Sequence, residues 1–199
     1  MRKLLLLSIC ILVLSCLSED GVEPGVATTF IRYYNGGNND EAKGLELTPD
    51  GGYIILANTR IQKNEAEIPR TKIKLVKTDV EGNPLWQRLY PGFTDPNPDI
   101  LRDYIASNVQ VKPDGGYIII GSVIETDSVS KTFVLSVDGD VVPLDSVTFA
   151  FNAGVAESGK AIAVDLAGNY VALSTQGTTK LIITQINKDT FLPVLPQRD

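Results

Sequence analysis

Two acids and an amide alternate with other residues in a short proline-containing stretch. Asp95, Asn97 and Asp99 stand at alternate positions, and oxygen ligands at this spacing are typical of calcium-binding loops. Ile100 occupies the position where such loops have glycine, and Ala106 the position of their bidentate glutamate. The stretch is therefore either a calcium site or an acidic, proline-stiffened loop between two folded units.

Aromatic and acidic side chains form a second set of candidates. Trp86, Tyr90 and Tyr104 are candidate ligand-contacting residues, because aromatic rings can stack on sugars. The alternative for these rings is packing between strands of neighbouring units. Asp50 and Asp114 have the form of a carboxylate pair, but each stands inside the same short turn sequence. A structural role in that turn is the interpretation we favour.

The absence of one residue type limits the available chemistry. The 199 residues contain no His, which excludes Ser-His-Asp and Cys-His catalysis and imidazole metal sites. The sequence shows no cofactor motif, and we predict no cofactor. The net charge is −6 and no basic run is present, so nucleic acid is not a predicted partner.

The first 16 residues carry a targeting signal. Two cations in Met1-Arg2-Lys3 precede an apolar run from Leu4 to Leu14, which is shorter than the roughly 20 residues that span a bilayer. This is the form of a secretory signal peptide. The run ends in Val13-Leu14-Ser15-Cys16, which resembles the bacterial lipobox. The alternative is an ordinary signal peptide that contains Cys by chance.

The resemblance to the lipobox implies cleavage before Cys16 and acylation of that residue. Residues 1–15 are then a signal peptide, and residues 16–27 a lipidated, flexible tether rich in acids, Gly and Pro. Two or more acyl chains give stable anchoring. The expected partner is therefore a bacterial membrane, with the outer membrane or the cell surface as the expected location.

The remainder, residues 28–199, contains an internal repeat. The sequence from Leu47 to Leu56 recurs from Val111 to Ile120 and, in degraded form, from Val164 to Leu173. Periods near 50 residues are typical of propeller blades. Each Pro-Asp-Gly-Gly is strong turn chemistry between two strands, and two more predicted strands follow in every unit. The pattern predicts an all-β fold of antiparallel four-stranded units at about 41–92, 104–151 and 159–197.

The repeats resemble the secreted propeller proteins of the PQQ-like and kelch-like groups. The resemblance rests on "TPDGGYII" and "KTDVEGNPLW". Asp79, Gly82 and Trp86 match the docking pattern of PQQ-type blades, where Trp packs between neighbouring blades. The other two units have Asp145 and Val194 near the Trp position. The resemblance implies a fold, whereas propellers serve as enzymes, binders and scaffolds alike.

The number of units is too small for a closed propeller. Closed rings have four or more blades, whereas this chain has about three units and one additional strand, Phe30 to Gly36, which aligns with Trp86 to Gly92. A partial, propeller-like arc would expose a blade face and unpaired edges. Truncation of a longer propeller, assembly with another chain, and collapse into a small closed structure are the alternatives.

Three functions remain as hypotheses. The first is a non-enzymatic surface lipoprotein that acts as a binding or scaffold module, with another protein chain or a glycan as partner. The second is a propeller that binds or processes glycans through paired carboxylates about 5–10 Å apart. The third is an inactive remnant of a longer propeller.

Overall fold

The computed structural model describes residues 29–34, 37–62, 68–90, 102–125, 128–140 and 142–194. The predicted signal peptide, the lipidation site Cys16 and the candidate calcium ligands Asp95, Asn97 and Asp99 lie outside the described residues. Within the part of the chain that is described, no helix is long and apolar enough to span a membrane.

The described chain forms twelve strands in three antiparallel, four-stranded sheets. Blade 1 contains β1 to β4, blade 2 contains β5 to β8, and blade 3 contains β9 to β12, each in sequence order. This confirms the predicted all-β, four-stranded units. The strands are β1 Asn39–Leu47, β2 Tyr53–Ile61, β3 Arg70–Thr78, β4 Pro84–Tyr90, β5 Arg102–Val111, β6 Tyr117–Glu125, β7 Lys131–Val137, β8 Pro143–Phe149, β9 Glu157–Val164, β10 Tyr170–Gln176, β11 Lys180–Ile186 and β12 Pro193–Val194.

The repeated turn joins the first two strands of a blade. In blade 1 the Gly51 N–H donates to the Thr48 carbonyl at 2.9 Å, and in blade 2 the Gly115 N–H donates to the Lys112 carbonyl at 3.0 Å. Gly51 and Gly115 have φ values of 83° and 87°, a region that L side chains rarely adopt. The glycine in the sequence repeat is therefore a backbone requirement.

A β-bulge recurs at the same place in the first strand of each blade. The register of strand pairing shifts between Ala42 and Gly44 in blade 1 and between Ala106 and Asn108 in blade 2. In blade 3 the shift occurs opposite Leu173 and Ser174. Bulges bend a strand and increase its twist, so the three blades share a curvature that the sequence pattern did not reveal.

The core lies between the blades. One cluster of buried apolar side chains joins blade 1 to blade 2, and a second joins blade 2 to blade 3. We call the face of a blade toward the next blade its front face, and the opposite one its rear face. Because side chains alternate along a strand, Ile54 and Leu56 lie on the front face of blade 1, whereas Tyr117 and Ile119 lie on the rear face of blade 2.

The three blades form an open arc. Blade 2 packs against both other blades, whereas the blades do not close into a ring. Blade 1 therefore has an outward rear face, and blade 3 an outward front face.

Two predictions about the outer strands need correction. Residues 29–34 do not form a strand, although Phe30 to Gly36 was predicted to be one. The last strand was expected to run from Phe191 to Leu195; Leu195 lies outside the described residues, and among residues 191–194 only Pro193 and Val194 belong to β12. Phe191 instead belongs to the preceding turn, with a φ of 52°, and its N–H donates to the Asn187 carbonyl at 2.9 Å.

Candidate functional site

The acidic residue of the first repeated turn is held in place by three donors. Asp50 Oδ1 accepts hydrogen bonds from the Gly52 N–H at 3.2 Å and from Thr48 Oγ1 at 2.6 Å. The Lys77 Nζ lies 2.8 Å from Asp50 Oδ2. The hydrogen bonds from Lys77 and Thr48 hold the pKa of Asp50 well below its usual range. Asp50 is thus an ionised turn residue.

In the second repeated turn, the acid also pairs with a lysine and accepts a backbone hydrogen bond, but the lysine comes from a different part of the blade. Asp114 Oδ1 accepts from the Gly116 N–H at 3.0 Å, and Lys112 Nζ lies 3.2 Å from Asp114 Oδ2. Although burial acts to raise the pKa of Asp114, the hydrogen bonds from Gly116 and Lys112 outweigh it and lower the pKa. Lys112 comes from the turn, whereas in blade 1 the lysine comes from β3. The structural interpretation of Asp50 and Asp114 is confirmed.

The aromatic candidates lie at the junction of blades 1 and 2. Trp86 is half-buried and meets Tyr117 edge to face, with ring centroids 6.2 Å apart. Tyr90 and Tyr104 are buried in the core that joins the two blades, and burial raises the pKa of Tyr90. The Tyr104 ring lies 5.0 Å from that of Phe133. The Trp86 contact joins blades 1 and 2, whereas that of Tyr104 with Phe133 lies within blade 2. Ligand binding at the three rings stays a prediction.

The Trp86 contact is repeated in altered form at the other two blades. Phe30 meets Tyr53 of blade 1 edge to face at 6.1 Å, which is the contact expected from its alignment with Trp86. Tyr170 of blade 3 is met at 5.8 Å by Phe191. The residue of blade 2 at the Trp position is Asp145, which is exposed. Phe191 therefore covers the tyrosine that a tryptophan of the preceding blade would cover.

A buried amide joins the backbones of blades 1 and 2. Asn58 on β2 donates from Nδ2 to the Ala106 carbonyl at 3.1 Å, and its Oδ1 accepts from the Ala106 N–H at 2.8 Å. Both residues are buried. The next blade pair has a hydroxyl contact at the equivalent position, because Ser122 Oγ lies 2.9 Å from Ser158 Oγ. We did not identify these residues from the sequence, although their equal distance from the repeated tyrosines was a usable signal.

Charged groups near the end of the blades that lies away from the repeated turns are arranged in pairs. Asp103 accepts from the Thr71 N–H at 2.6 Å and lies 3.3 Å from an Arg70 guanidinium nitrogen. Arg102 lies 3.0 Å from Glu125. Asp103 thus links blade 2 to blade 1.

Glu157 is a buried acid that hydrogen bonds anchor at the junction of blades 2 and 3. Its Oε1 accepts from the Phe151 N–H at 2.7 Å and from the Gln176 amide at 2.8 Å. These hydrogen bonds have the form expected of a structural link between blades 2 and 3. Among the described residues, no group of three or more His, Cys, Asp and Glu side chains is placed to hold a metal ion.

The outward faces of the two end blades carry exposed aliphatic side chains. On the front face of blade 3, Leu181 and Ile183 are 75% and 74% exposed. On the rear face of blade 1, Leu45 and Leu47 are 62% and 65% exposed. Clustered exposed apolar side chains are typical of interaction surfaces. These two faces are the strongest candidate binding surfaces among the described residues.

The comparisons with known proteins give no family assignment. No protein-family model matches the chain. No curated protein matches it either.

Proposed function

We propose that this chain is an exported bacterial lipoprotein whose three-blade domain is a binding or scaffold module. The acyl chains on Cys16 would hold it at the outer membrane or cell surface. Relationship to the secreted propellers of the PQQ-like and kelch-like groups is part of this proposal. It rests on the repeated turns and on the Trp86 docking pattern.

One observation carries the binding role. The outward faces of blades 1 and 3 expose Leu45, Leu47, Leu181 and Ile183, and aliphatic side chains are stabilised by removal from water, at about 25 cal/mol per Å² of apolar surface. A complex in which a partner covers these faces is stabilised by this free energy. A catalytic role has no comparable support, since Asp50 and Asp114 are held within turns and Asp103 in a link between blades.

The anchoring part of the proposal is tested by membrane fractionation of two cysteine variants. Cys16→Ser removes the acylated sulfur, and the chain should move from the membrane fraction to the soluble exported fraction. Cys10→Ser is the matched control, because Cys10 lies within the predicted signal peptide and its replacement should leave membrane association unchanged. Membrane association of the Cys16→Ser chain equal to that of the control would refute the lipid anchor.

A further inference from the structure

The exposed residues of blade 3 stand at positions that are buried in the other blades. When the blades are aligned on Tyr53, Tyr117 and Tyr170, strand pairing places Ile183 at the position of Leu75 and Val134. Both of those side chains are fully buried, whereas Ile183 is 74% exposed. The front face of blade 3 therefore has the residue types of a surface that packs on a further blade.

The rear face of blade 1 shows the complementary pattern. Leu45 stands at the position of Val109 and Ile162, which are buried against the preceding blade, whereas Leu45 is 62% exposed. The charge on this face is already paired, because Lys74 Nζ lies 2.6 Å from Asp40 Oδ2. Covering this face would therefore not bury an isolated ammonium group, which would be costly.

Small residues mark the place where a preceding blade approaches. Ala42 stands at the position of Ala106 and Gly159. At Gly159 an added Cβ would lie 2.5 Å from Ile120 Cγ1 of the preceding blade, and Ala106 is buried against blade 1. Ala42 is exposed. Blade 1 thus presents the same small-residue position, and none of the described blades packs on it.

Among the described residues, the outer strand of blade 3 is shorter than those of blades 1 and 2. β4 and β8 contain seven residues each, whereas the described part of β12 contains two, which pair with Gln185 and Ile186. By alignment of Phe30 with Trp86, residues 31–34 correspond to β4 positions that would face Leu181 to Thr184. These residues form no strand within their own chain. Addition of a strand to a free edge is a common mode of association.

We propose that a second copy of this chain completes the arc, with blade 3 of each copy packed on blade 1 of the other. The described blades of two copies number six, which lies within the range of about four to eight in closed propellers, whereas those of three copies would exceed it. Each copy then makes two equivalent contacts between blade 3 and blade 1, which a two-fold axis relates, so the ring closes with two copies. This inference deepens the proposed binding function by naming the partner.

The contact between blades 2 and 3 supplies the design of a cross-linking test. Ser122 and Ser158 have their hydroxyl oxygens 2.9 Å apart. By the same alignment, Thr175 of blade 3 corresponds to Ser122, and Glu41 of blade 1 corresponds to Ser158. In the assembled ring, Thr175 of one copy therefore lies beside Glu41 of the other.

The experiment uses the full-length chain, purified from membranes in detergent and mildly oxidised. The double variant Glu41→Cys/Thr175→Cys should run at twice the monomer mass on a non-reducing gel, and reduction should restore the monomer. Either single variant and the wild-type chain should stay at monomer mass. Ser122→Cys/Ser158→Cys is the matched control, since its disulfide should form within one chain and leave the mass unchanged.

A second variant tests the front face of blade 3 without the use of a disulfide. Ile183→Lys places a charge on the surface that the ring would bury, and the native mass should fall by half. Because Ile183 is exposed in the single chain, its circular dichroism spectrum should be unchanged. Monomeric double-cysteine chains would overturn the proposal, as would a ladder of ever larger species. If the uncross-linked chain still binds a different protein through blade 3, the second copy is refuted while the proposed binding function stands.

Discussion

The buried amide of Asn58 gives the sharpest prediction about how the blades are held together. Its side chain makes two hydrogen bonds with the backbone of Ala106, beside the bulge where pairing of β5 with β6 shifts register. Asn58→Ala would leave the buried Ala106 N–H and carbonyl without these partners. Each unsatisfied buried polar group costs about 1–3 kcal/mol. With two such groups, we expect the free energy of unfolding to fall by about 2–6 kcal/mol, a large share of the roughly 5–15 kcal/mol of a typical domain.

Urea unfolding monitored by tryptophan fluorescence measures this loss at the right place. Trp86 is the single tryptophan of the chain, and it packs on Tyr117 at the same blade junction. The matched control is Asn83→Ala, because the Asn83 amide donates to Asp79 Oδ2 at 2.9 Å in an exposed turn. That change should cost about 1 kcal/mol or less, as is usual for exposed sites. Equal urea midpoints for Asn58→Ala and Asn83→Ala would refute the role of the Asn58 hydrogen bonds in holding blades 1 and 2 together.

Three further predictions concern the turns. Phe191→Ala should lower the free energy of unfolding by about 3–5 kcal/mol, because Phe191 is buried against Tyr170. Leu192→Ala, at an exposed site, should change the urea midpoint little. Equal effects of the two substitutions would contradict the packing role of Phe191. Gly116→Ala would place a Cβ 2.3 Å from the Val137 carbonyl oxygen, whereas a Cβ at Gly139 would lie 3.6 Å from its nearest atom. Thermal unfolding should show a loss of about 1–3 kcal/mol in the free energy of unfolding for Gly116→Ala and almost none for Gly139→Ala. A Gly116→Ala chain as stable as wild type would show this turn geometry to be wrong. The pKa of Asp50 is held below its ordinary 3.8 by Lys77 and Thr48, so the stabilisation from its ionised form is present above pH 4 and is lost as the pH falls. Asp50→Asn should therefore unfold at a lower urea concentration than wild type at pH 7, and the difference between the two urea midpoints should narrow between pH 4 and pH 2. A constant difference would refute the role of the Asp50 charge.

The regular part of the fold was predictable because its signals are local. The Pro-Asp-Gly-Gly turns and the apolar runs after them fix where strands begin, and the repeat fixes how many strands form a sheet. The contact of Trp86 with the next blade was implied by the resemblance of Asp79, Gly82 and Trp86 to the docking pattern of PQQ-type blades. Each of these features depends on residues that lie close together in the sequence.

The remainder depends on contacts that sequence spacing does not encode. The bulges in β1, β5 and β9 are register shifts in strand pairing, which the repeated sequence pattern did not indicate. Phe191 lies in a turn, where its ring packs on Tyr170, and the preceding blade has Asp145 at the position of Trp86. Asn58 and Glu157 look like ordinary polar residues until the fold buries them between blades.

The central claim, that a second copy of the chain covers the outward faces of the arc, is tested most directly by the native mass of the solubilised chain. Wild type would be compared with Ile183→Lys on the front face of blade 3 and with Leu144→Lys on β8, since both positions are exposed aliphatic sites in the single chain. The account predicts a wild-type particle heavier than one chain, which Ile183→Lys reduces to a monomer and Leu144→Lys leaves intact. A wild-type monomer, or equal masses for the two variants, would contradict it.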